Sequence, residues 1–358
     1  MPIASEDNIS PSACPAVSVL MPVYEARATL ARAVASCLDQ RGVGLEIIAV
    51  DDGSTDGSGD LLEGLARRDS RIKVIRGPHR GLVAALNRGL AECRGEFIAR
   101  MDADDAMLPG RLQKQVDYLK ERAELAGVGC LIRVEPESGM TAGARRYLDW
   151  SNSLVTPGDI RREIFVESPL VHPTMTLRRA VLNETGAWCD FDGPEDYDLW
   201  LRLVFDCGLK LAKVPEVLHV WSDRPDRLTR TDPRYRPEAF LALKCRYLGK
   251  YAIEPRGGYV LWGCGPVGKA LARELEKAGW KPEAIVEVHP GRIGAKIFGA
   301  PVIPVERATE FCRGHSSLRS VLRFVHLGAV GQAGARERMR GEIERLGLVE
   351  GGNFFFTA

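Results

Sequence analysis

Apolar positions along the chain alternate between two rhythms. Val17-Ser18-Val19-Leu20-Met21-Pro22-Val23 is a short, almost continuous apolar run that fits a buried strand, and Leu30, Val34 and Leu38 then recur at four-residue intervals, one stripe of a helix. The pattern repeats three times. Strands are expected at Leu45 to Val50, Ile72 to Ile75 and Glu96 to Met101, with helices around Leu61, Leu62 and Leu65 and around Leu82, Leu86 and Leu90. Strands alternating with helices from residue 17 to about 120 predict a parallel, doubly wound sheet. Ligands bind such sheets beyond the carboxyl ends of the strands. Two polar clusters, Asp51-Asp52-Gly53-Ser54 and Asp102-Ala103-Asp104-Asp105, stand at those ends.

From Gly127 to about Trp221 the rhythm loosens. Strands are read at Val128 to Val134 and Thr174 to Leu177, a helix from about Glu195 to Val204, and two short strands near Leu209 to Ala212 and Val217 to Trp221. Ser222 to Arg236 reads as loop, and a helix from Pro237 to Tyr251 leads to Glu254-Pro255-Arg256-Gly257-Gly258, a boundary by composition. Alternation then restarts, with a strand at Tyr259 to Trp262, a turn at Gly263 to Gly268, a helix at Ala270 to Ala278, a strand at Ala284 to Glu287 and a later one at Val321 to Leu327. The organisation expected is a flexible tail over 1–15, a first domain over 16–235, a helical linker over 236–257 and a smaller Rossmann-like α/β domain over 258–358.

Composition narrows the function. A length of 358 residues, at ~150 per domain, fits two domains. Lys and Arg number 49 against 48 Asp and Glu, so the net charge of +1 gives no electrostatic case for wholesale nucleic-acid binding, although it leaves room for a local basic pocket. No apolar run approaches the ~18 residues of a membrane span, and Met1 to Asp7 has no signal-peptide pattern. Nine widely spaced cysteines, none in a Cys-x-x-Cys pair, read as reduced thiols of a cytoplasmic protein without a zinc site.

The acids carry the candidate chemistry. Carboxylates at strand ends hold hard divalent cations or accept hydrogen bonds from a ligand. Asp102 and Asp104, one residue apart in a turn, suit a metal–diphosphate site, though for an isolated pair loop solubility or capping before Pro109 is the stronger explanation. Ser54 to Ser58 reads as an ordinary turn and helix cap. Asp51 and Asp52 at the end of a buried strand repel each other and call for donors, which a nucleotide's base and ribose would supply. Glu195-Asp196-Tyr197-Asp198 opens a helix, where the dipole favours acids.

Taken in order, five segments resemble the family 2 glycosyltransferases with the nucleotide-diphospho-sugar transferase fold: Val17 to Glu25, Val50 to Asp56, Ala84 to Leu90, Arg100 to Asp105, and Glu195 to Trp200. The resemblance covers roughly residues 16 to 222. It implies a doubly wound mixed sheet and an inverting, metal-dependent transfer of a sugar from a nucleotide diphosphate to a hydroxyl acceptor. Surface glycan or polysaccharide biosynthesis is the implied setting. Carried over residue by residue, Pro22, Tyr24 and Glu25 line the base pocket, Asp51 accepts from the base with Asp52 close by, Asp102 lies near the ribose, and Asp104 ligates Mn²⁺ or Mg²⁺. Asp196 is the catalytic base, with Glu195 beside it. Arg80 or His79 adds charge near the phosphates, and His172, in Ser168 to Thr174, is a candidate on the acceptor side. The chain departs from the processive synthases: no membrane anchor follows the catalytic segment and their Gln-x-x-Arg-Trp signature is missing. The expectation is a single-transfer cytoplasmic enzyme acting on a carbohydrate or lipid-linked acceptor, with peripheral contact at the inner face of a membrane left open.

In the second domain Gly263, Gly265 and Gly268 follow a strand and open a helix, and Glu287 ends the next strand nineteen residues after Gly268. That is the context of a dinucleotide fingerprint, with the acid placed for a ribose hydroxyl. Because no catalytic set follows the turn, a structural, acceptor-recruiting or oligomerising module that kept the turn is favoured over nucleotide (NAD) binding. Two alternatives stay beside the leading reading: a nucleotide-sugar-binding protein without activity, and an NAD-linked activity of the second domain.

Overall fold

The computed structural model describes residues 14–138, 140–224, 226–311, 324–332 and 334–358. The tail expected over 1–15 falls, except for its last two residues, outside the described residues, as do Cys312 and the start of the strand expected at Val321 to Leu327. The chain divides into two compact units: residues up to Thr156 with Leu170–Phe191 and Cys207–Arg227, and Pro157–Pro169 with Asp192–Asp206 and Leu228–Ala358. Pro157–Pro169, Asp192–Asp206 and 228–235, which the sequence reading assigns to the first domain, thus belong to the second unit.

The first unit is an eight-stranded mixed sheet. Its strands are β1 (Val17–Val23), β2 (Leu45–Asp51), β3 (Ile72–Arg76), β4 (Phe97–Arg100), β5 (Ala106–Met107), β6 (Leu125–Glu135), β7 (Thr176–Arg178) and β8 (Lys210–Ser222), in the order β3-β2-β1-β4-β7-β6-β8-β5. The four that alternate with helices α1 (Arg27–Leu38), α2 (Ser58–Ala66) and α3 (Leu82–Leu90) are parallel, as their pattern predicts. β7 runs antiparallel to both β4 and β6, which makes the sheet mixed. β1 is apolar throughout because both of its faces are covered. Val17, Val19, Met21 and Val23 share a core with Leu30, Ala33 and Val34 of α1. On the other face α3 comes so close that a Cβ on Gly89 would lie 2.3 Å from Leu20 Cδ1. The unit also holds α4 (Arg111–Glu121), α5 (Ala142–Ser153) and α7 (Arg179–Thr185).

One expectation is corrected here. Leu209 to Ala212 and Val217 to Trp221 are not two strands but the ends of β8, which pairs in parallel with β6 and slips register where Cys130 meets Val214 and Leu131 meets Val217. Pro215 and Glu216 occupy the slip, so the period-two pattern breaks while the strand continues.

The second unit has a six-stranded sheet of β9 (Tyr259–Trp262), β10 (Pro282–Val286), β11 (Lys296–Ile297), β12 (Ala300–Ile303), β13 (Val325–Gly328) and β14 (Phe354–Phe356), in the order β11-β12-β10-β9-β13-β14. It carries α6 (Pro157–Glu163), α8 (Glu195–Leu201), α9 (Leu228–Thr231), α10 (Pro237–Leu248), α11 (Pro266–Lys277) and α12 (Ala335–Arg345). Val260, Trp262, Ala284, Val286, Phe354 and Phe356 form its core. The stretch read as loop after Ser222 includes α9 and a 3-10 turn at Pro233–Tyr235.

Candidate active site

β1 lies between β2 and β4, so the chain reverses its direction of travel across the sheet there. Register places Val23 opposite Asp51 and Leu20 opposite Arg100. The segments after β1, β2 and β4 therefore emerge at one rim, at the switch point where a doubly wound sheet opens a crevice. Tyr24-Glu25, Asp51-Asp52 and Asp102 to Asp105 meet at that rim by topology alone.

Helix α1 begins there without a side-chain cap of its own. Its first N–H groups are taken from across the rim instead: Ser58 Oγ accepts from Ala26 N at 3.0 Å and Asp56 Oδ2 from Arg27 N at 2.9 Å. Asp56 Oδ1 meanwhile accepts from Ser58 N at 2.9 Å, so one carboxylate ties the starts of two helices. Glu25 holds a left-handed φ of 49° and accepts from Thr55 N at 2.6 Å, which keeps this strained turn in place. Pro22 is buried within β1. Tyr24, 51% exposed, stacks on His79 with ring centroids 4.1 Å apart.

Asp51 and Asp52 find their donors inside the protein. Asp51 Oδ1 accepts from Ser54 N at 3.0 Å, and Oδ2 lies 3.3 Å from Arg76 Nε. Asp52 accepts from Arg80 N at 3.0 Å and Gly81 N at 2.8 Å, with His79 Nδ1 2.8 Å away. Arg80 acts here through its backbone, and its side chain is exposed. His79, read as a source of charge for phosphates, is placed as a partner of Asp52 and of the Tyr24 ring.

The loop after β4 gathers Asp102, Asp104 and Asp105, each offering one oxygen, with all three oxygens within 4.8 Å of one another. β5 fastens this loop by pairing with β8, Met107 opposite His219. Ser222 adds two bonds: its N–H donates to Asp105 Oδ1 at 2.8 Å and its hydroxyl to Asp104 O at 2.5 Å. Asp102 pairs with the buried Arg100 guanidinium. Asp104 has Arg224 Nη1 at 3.9 Å, too far for a hydrogen bond. Burial first, then repulsion from Asp102 and Asp105, pushes Asp104 up to about 7 against the pull of Arg224 and Arg227. Burial and Asp102 push Asp105 up as well. The cluster is thus short of positive charge, and its donors are oxygens only, the set a hard divalent cation selects. Residues of this loop fit Mn²⁺ or Mg²⁺, and Asp102, expected from the resemblance near the ribose, stands in the same cluster as Asp104. Sequence reasoning missed Asp105, Arg224, Arg100 and Ser222. The unbroken run Asp104-Asp105 was the available signal for the first of them.

A cavity of about 650 Å³ adjoins the rim, lined by Glu25, Arg27, Thr29, Asp56 and Arg224 among others. Thr29 Oγ1 donates to Ala103 O at 3.0 Å, which ties α1 to the acidic loop along the cavity wall.

His172 is buried in the turn before β7. Trp188 Nε1 donates to its Nε2 at 2.9 Å, and burial with the nearby Arg100 charge holds its pKa well below the usual histidine value. It stays neutral and is embedded in the first unit. The third acidic cluster belongs to the second unit. Glu195 is buried and accepts from Tyr235 OH at 2.6 Å, and Asp198 is buried against Arg246 Nη2 at 2.7 Å. Asp196, at the second position of α8, is half-buried, and its own Oδ1 accepts from Tyr197 N at 2.7 Å.

In the glycine turn of the second unit, Gly263 has φ +91° and a Cβ on Gly268 would lie 2.0 Å from Gly263 O, so both glycines are required by the turn itself. A Cβ on Gly265 would meet nothing within 4 Å. Glu287 is already engaged: Arg292 Nη1 donates to it at 2.9 Å and Val288 N at 2.9 Å.

Comparison with known proteins bears on the family and the fold. The family described as Glycosyl transferase family 2 matches residues 18–186. An uncharacterized glycosyltransferase of Haemophilus influenzae is 35% identical over 211 residues, 57% of this chain and 64% of that protein, so the match spans just under two thirds of the relative's length. The O-antigen biosynthesis glycosyltransferase WbnJ of Escherichia coli is 30% identical over 198 residues, 53% of this chain and 72% of that protein. Among solved structures, residues 1–349 of Staphylococcus aureus TarS in complex with UDP-GlcNAc align with a TM-score of 0.52 at 16% identity, covering 72% of this chain and 71% of that one. The chain belongs to the family 2 glycosyltransferases. Among the described residues no helix is long and apolar enough to cross a membrane.

Proposed function

We propose that this glycosyltransferase moves a sugar from a nucleotide diphosphate to a hydroxyl acceptor, with inversion at the anomeric carbon and with help from a divalent cation, in the assembly of a surface glycan. The observation that carries the reading is the acidic loop after β4: three carboxylate oxygens within 4.8 Å, short of positive charge, beside a cavity of about 650 Å³. A cation held by Asp102, Asp104 and Asp105 would supply positive charge to a departing diphosphate.

The chain's own residues divide the remaining work. Tyr24, stacked on His79, presents an aromatic face to the base, and Glu25, Asp51 and Asp52 form the walls around it. Arg224 at the cavity edge adds a guanidinium for the phosphates. Asp196 takes the proton from the acceptor hydroxyl as that oxygen attacks the anomeric carbon and the bond to the diphosphate breaks. Its exposure relative to the buried and paired Glu195 and Asp198 supports that assignment. The similarity to WbnJ, an O-antigen biosynthesis glycosyltransferase, supports the glycan setting.

The test is a thermal-shift screen of nucleotide sugars with and without Mn²⁺, followed by transfer with the stabilising donor. A diphosphate donor should raise the melting temperature more with metal than without. Asp196→Asn should keep that shift and lose about 10²–10⁴ in kcat. Stabilisation without any transfer or donor hydrolysis would favour a binding protein, and no stabilisation by any nucleotide sugar would end the reading.

A further inference from the structure

Beneath the acidic loop runs a line of buried polar side chains that the transfer chemistry does not use directly. His219, on β8, is fully buried, and its Nε2 lies 2.8 Å from Asp105 Oδ2. Its Nδ1 lies 2.8 Å from Arg111 Nη1. A guanidinium has donors and no acceptor. His219 Nδ1 therefore accepts, the ring proton sits on Nε2, and the neutral ring donates to the Asp105 carboxylate. Arg111 is itself fully buried, and it donates to Arg100 O at 3.1 Å, Pro173 O at 2.7 Å and Gln115 Oε1 at 3.2 Å. Gln115 Nε2 donates to Val128 O at 3.0 Å and Thr174 O at 2.8 Å, and Thr176 Oγ1 donates to Gln115 Oε1 at 2.8 Å.

Such a line is costly to bury unless every member is partnered, and these members are. Arg111 has no carboxylate in direct contact among the described residues; the His219 ring stands between its guanidinium and Asp105. A simple core would fill this space with apolar side chains. What the line does deliver is a fixed direction for Asp105, whose other oxygen is held by Ser222 N at 2.8 Å. Among the described residues each oxygen has one hydrogen-bond donor, which leaves a lone pair on each, and one oxygen lies in the cluster with Asp102 and Asp104.

We propose that His219 is a positioning residue: as the neutral Nε2–H tautomer, backed by Arg111, it orients Asp105 so that its carboxylate joins Asp102 and Asp104 in holding the divalent cation. The inference rests on the metal reading above and adds to it a residue and a tautomer. Outer partners of this kind typically change metal affinity about 10–100-fold when removed.

The test compares Mn²⁺ affinity of the full chain, without donor, by the EPR signal of free Mn²⁺. His219→Leu keeps the volume and removes both polar atoms. His219→Gln keeps an amide N–H toward Asp105 and a carbonyl toward Arg111. His219→Leu should weaken Mn²⁺ binding at least about tenfold, while His219→Gln stays within about threefold. A folded His219→Leu chain with wild-type affinity overturns the proposal. So does a His219→Gln chain that binds as poorly as the leucine variant. If His219→Leu does not fold, ¹⁵N-histidine spectra of the wild type decide: His219 should show a protonated Nε2 and an unprotonated Nδ1, and the Nε2–H signal should move on Mg²⁺ saturation. A signal that stays put, or the opposite tautomer, overturns it. Failure of the wild-type chain to bind Mn²⁺ at all removes the metal reading and this one together, whereas binding that ignores His219 removes only this one.

Discussion

Each unit ends a parallel strand in acid, and the two treat that acid oppositely. After β4, Asp104 sits in a partly buried loop with two more carboxylates beside it and the Arg224 guanidinium 3.9 Å away, and its pKa rises to about 7. After β10, Glu287 is buried, and burial alone would push it up. Arg292 and the N–H groups of Val288, His289 and Cys264 outweigh burial and hold it below the usual carboxylate range. An acid just beyond a parallel strand is short of donors in one unit and sated in the other. An acid at a strand's end is informative about ligands when the protein leaves it wanting, and uninformative when the protein completes it.

That contrast can be broken at several points. The largest effect belongs to Asp104→Asn, which should lower kcat by at least about 100-fold and abolish the extra thermal stabilisation that Mn²⁺ gives in the presence of donor. Unchanged metal-dependent melting in this variant would erase the distinction between the two acids. Glu287→Gln should act on the second unit's stability instead, costing about 1 kcal/mol in a urea melt, since the Arg292 partner is partly exposed and screened. The pH dependences should have opposite signs. Between about 4 and 7 the folded chain keeps a proton on Asp104 that the unfolded chain has lost, so this group's contribution weakens as pH rises through that window. Glu287 is depressed, so its contribution is present above 4.5 and disappears as pH falls through its folded value. Melts from about pH 2 to 9, differenced against Asp104→Asn and Glu287→Gln, should show the two slopes, and slopes of equal sign would refute the account. The glycines of the second unit separate in the same melt: Gly268→Ala, whose Cβ meets Gly263 O at 2.0 Å, should destabilise by about 1–3 kcal/mol, whereas Gly265→Ala, the smallest effect, should stay within about 0.5 kcal/mol.

What the sequence made legible were features set by short-range pattern. The apolar runs of β1, β2 and β4 and the stripes of α1 and α3 are local, and once those strands are parallel the acids after them must share a rim. Asp51, Asp52, Asp102 and Asp104 could be named for that reason. What supports them could not. Asp105 meets His219 across 114 positions and Ser222 across 117, and no periodicity links residues so far apart. Arg111 looks like a polar residue at a helix start, where solvent is the ordinary expectation, yet it is fully buried. The fate of Asp51 and Asp52 was half legible: the need for donors follows from two adjacent buried acids, but that Arg76, Ser54, Arg80 and Gly81 meet it depends on how two loops cross. Pro157–Pro169 and Asp192–Asp206 were assigned to the first domain because chain order was the only guide, whereas unit membership follows long-range packing. α12 escaped notice because its sequence is nearly all polar and only Ala335 and Ile343 are buried.

The slip in β8 has a consequence for anyone aligning or re-engineering this chain. Side chains on a strand alternate in direction, so the two extra residues Pro215 and Glu216 keep the phase, while the single extra residue Leu218, between the Leu131–Val217 and Ile132–His219 pairs, inverts it for everything after. Upstream, a change of length alters only reach. Removing a single residue within the slip would bring Val220 to the place opposite Ile132 that His219 now holds, and would turn a polar footing into an apolar one without altering any residue of the acidic loop.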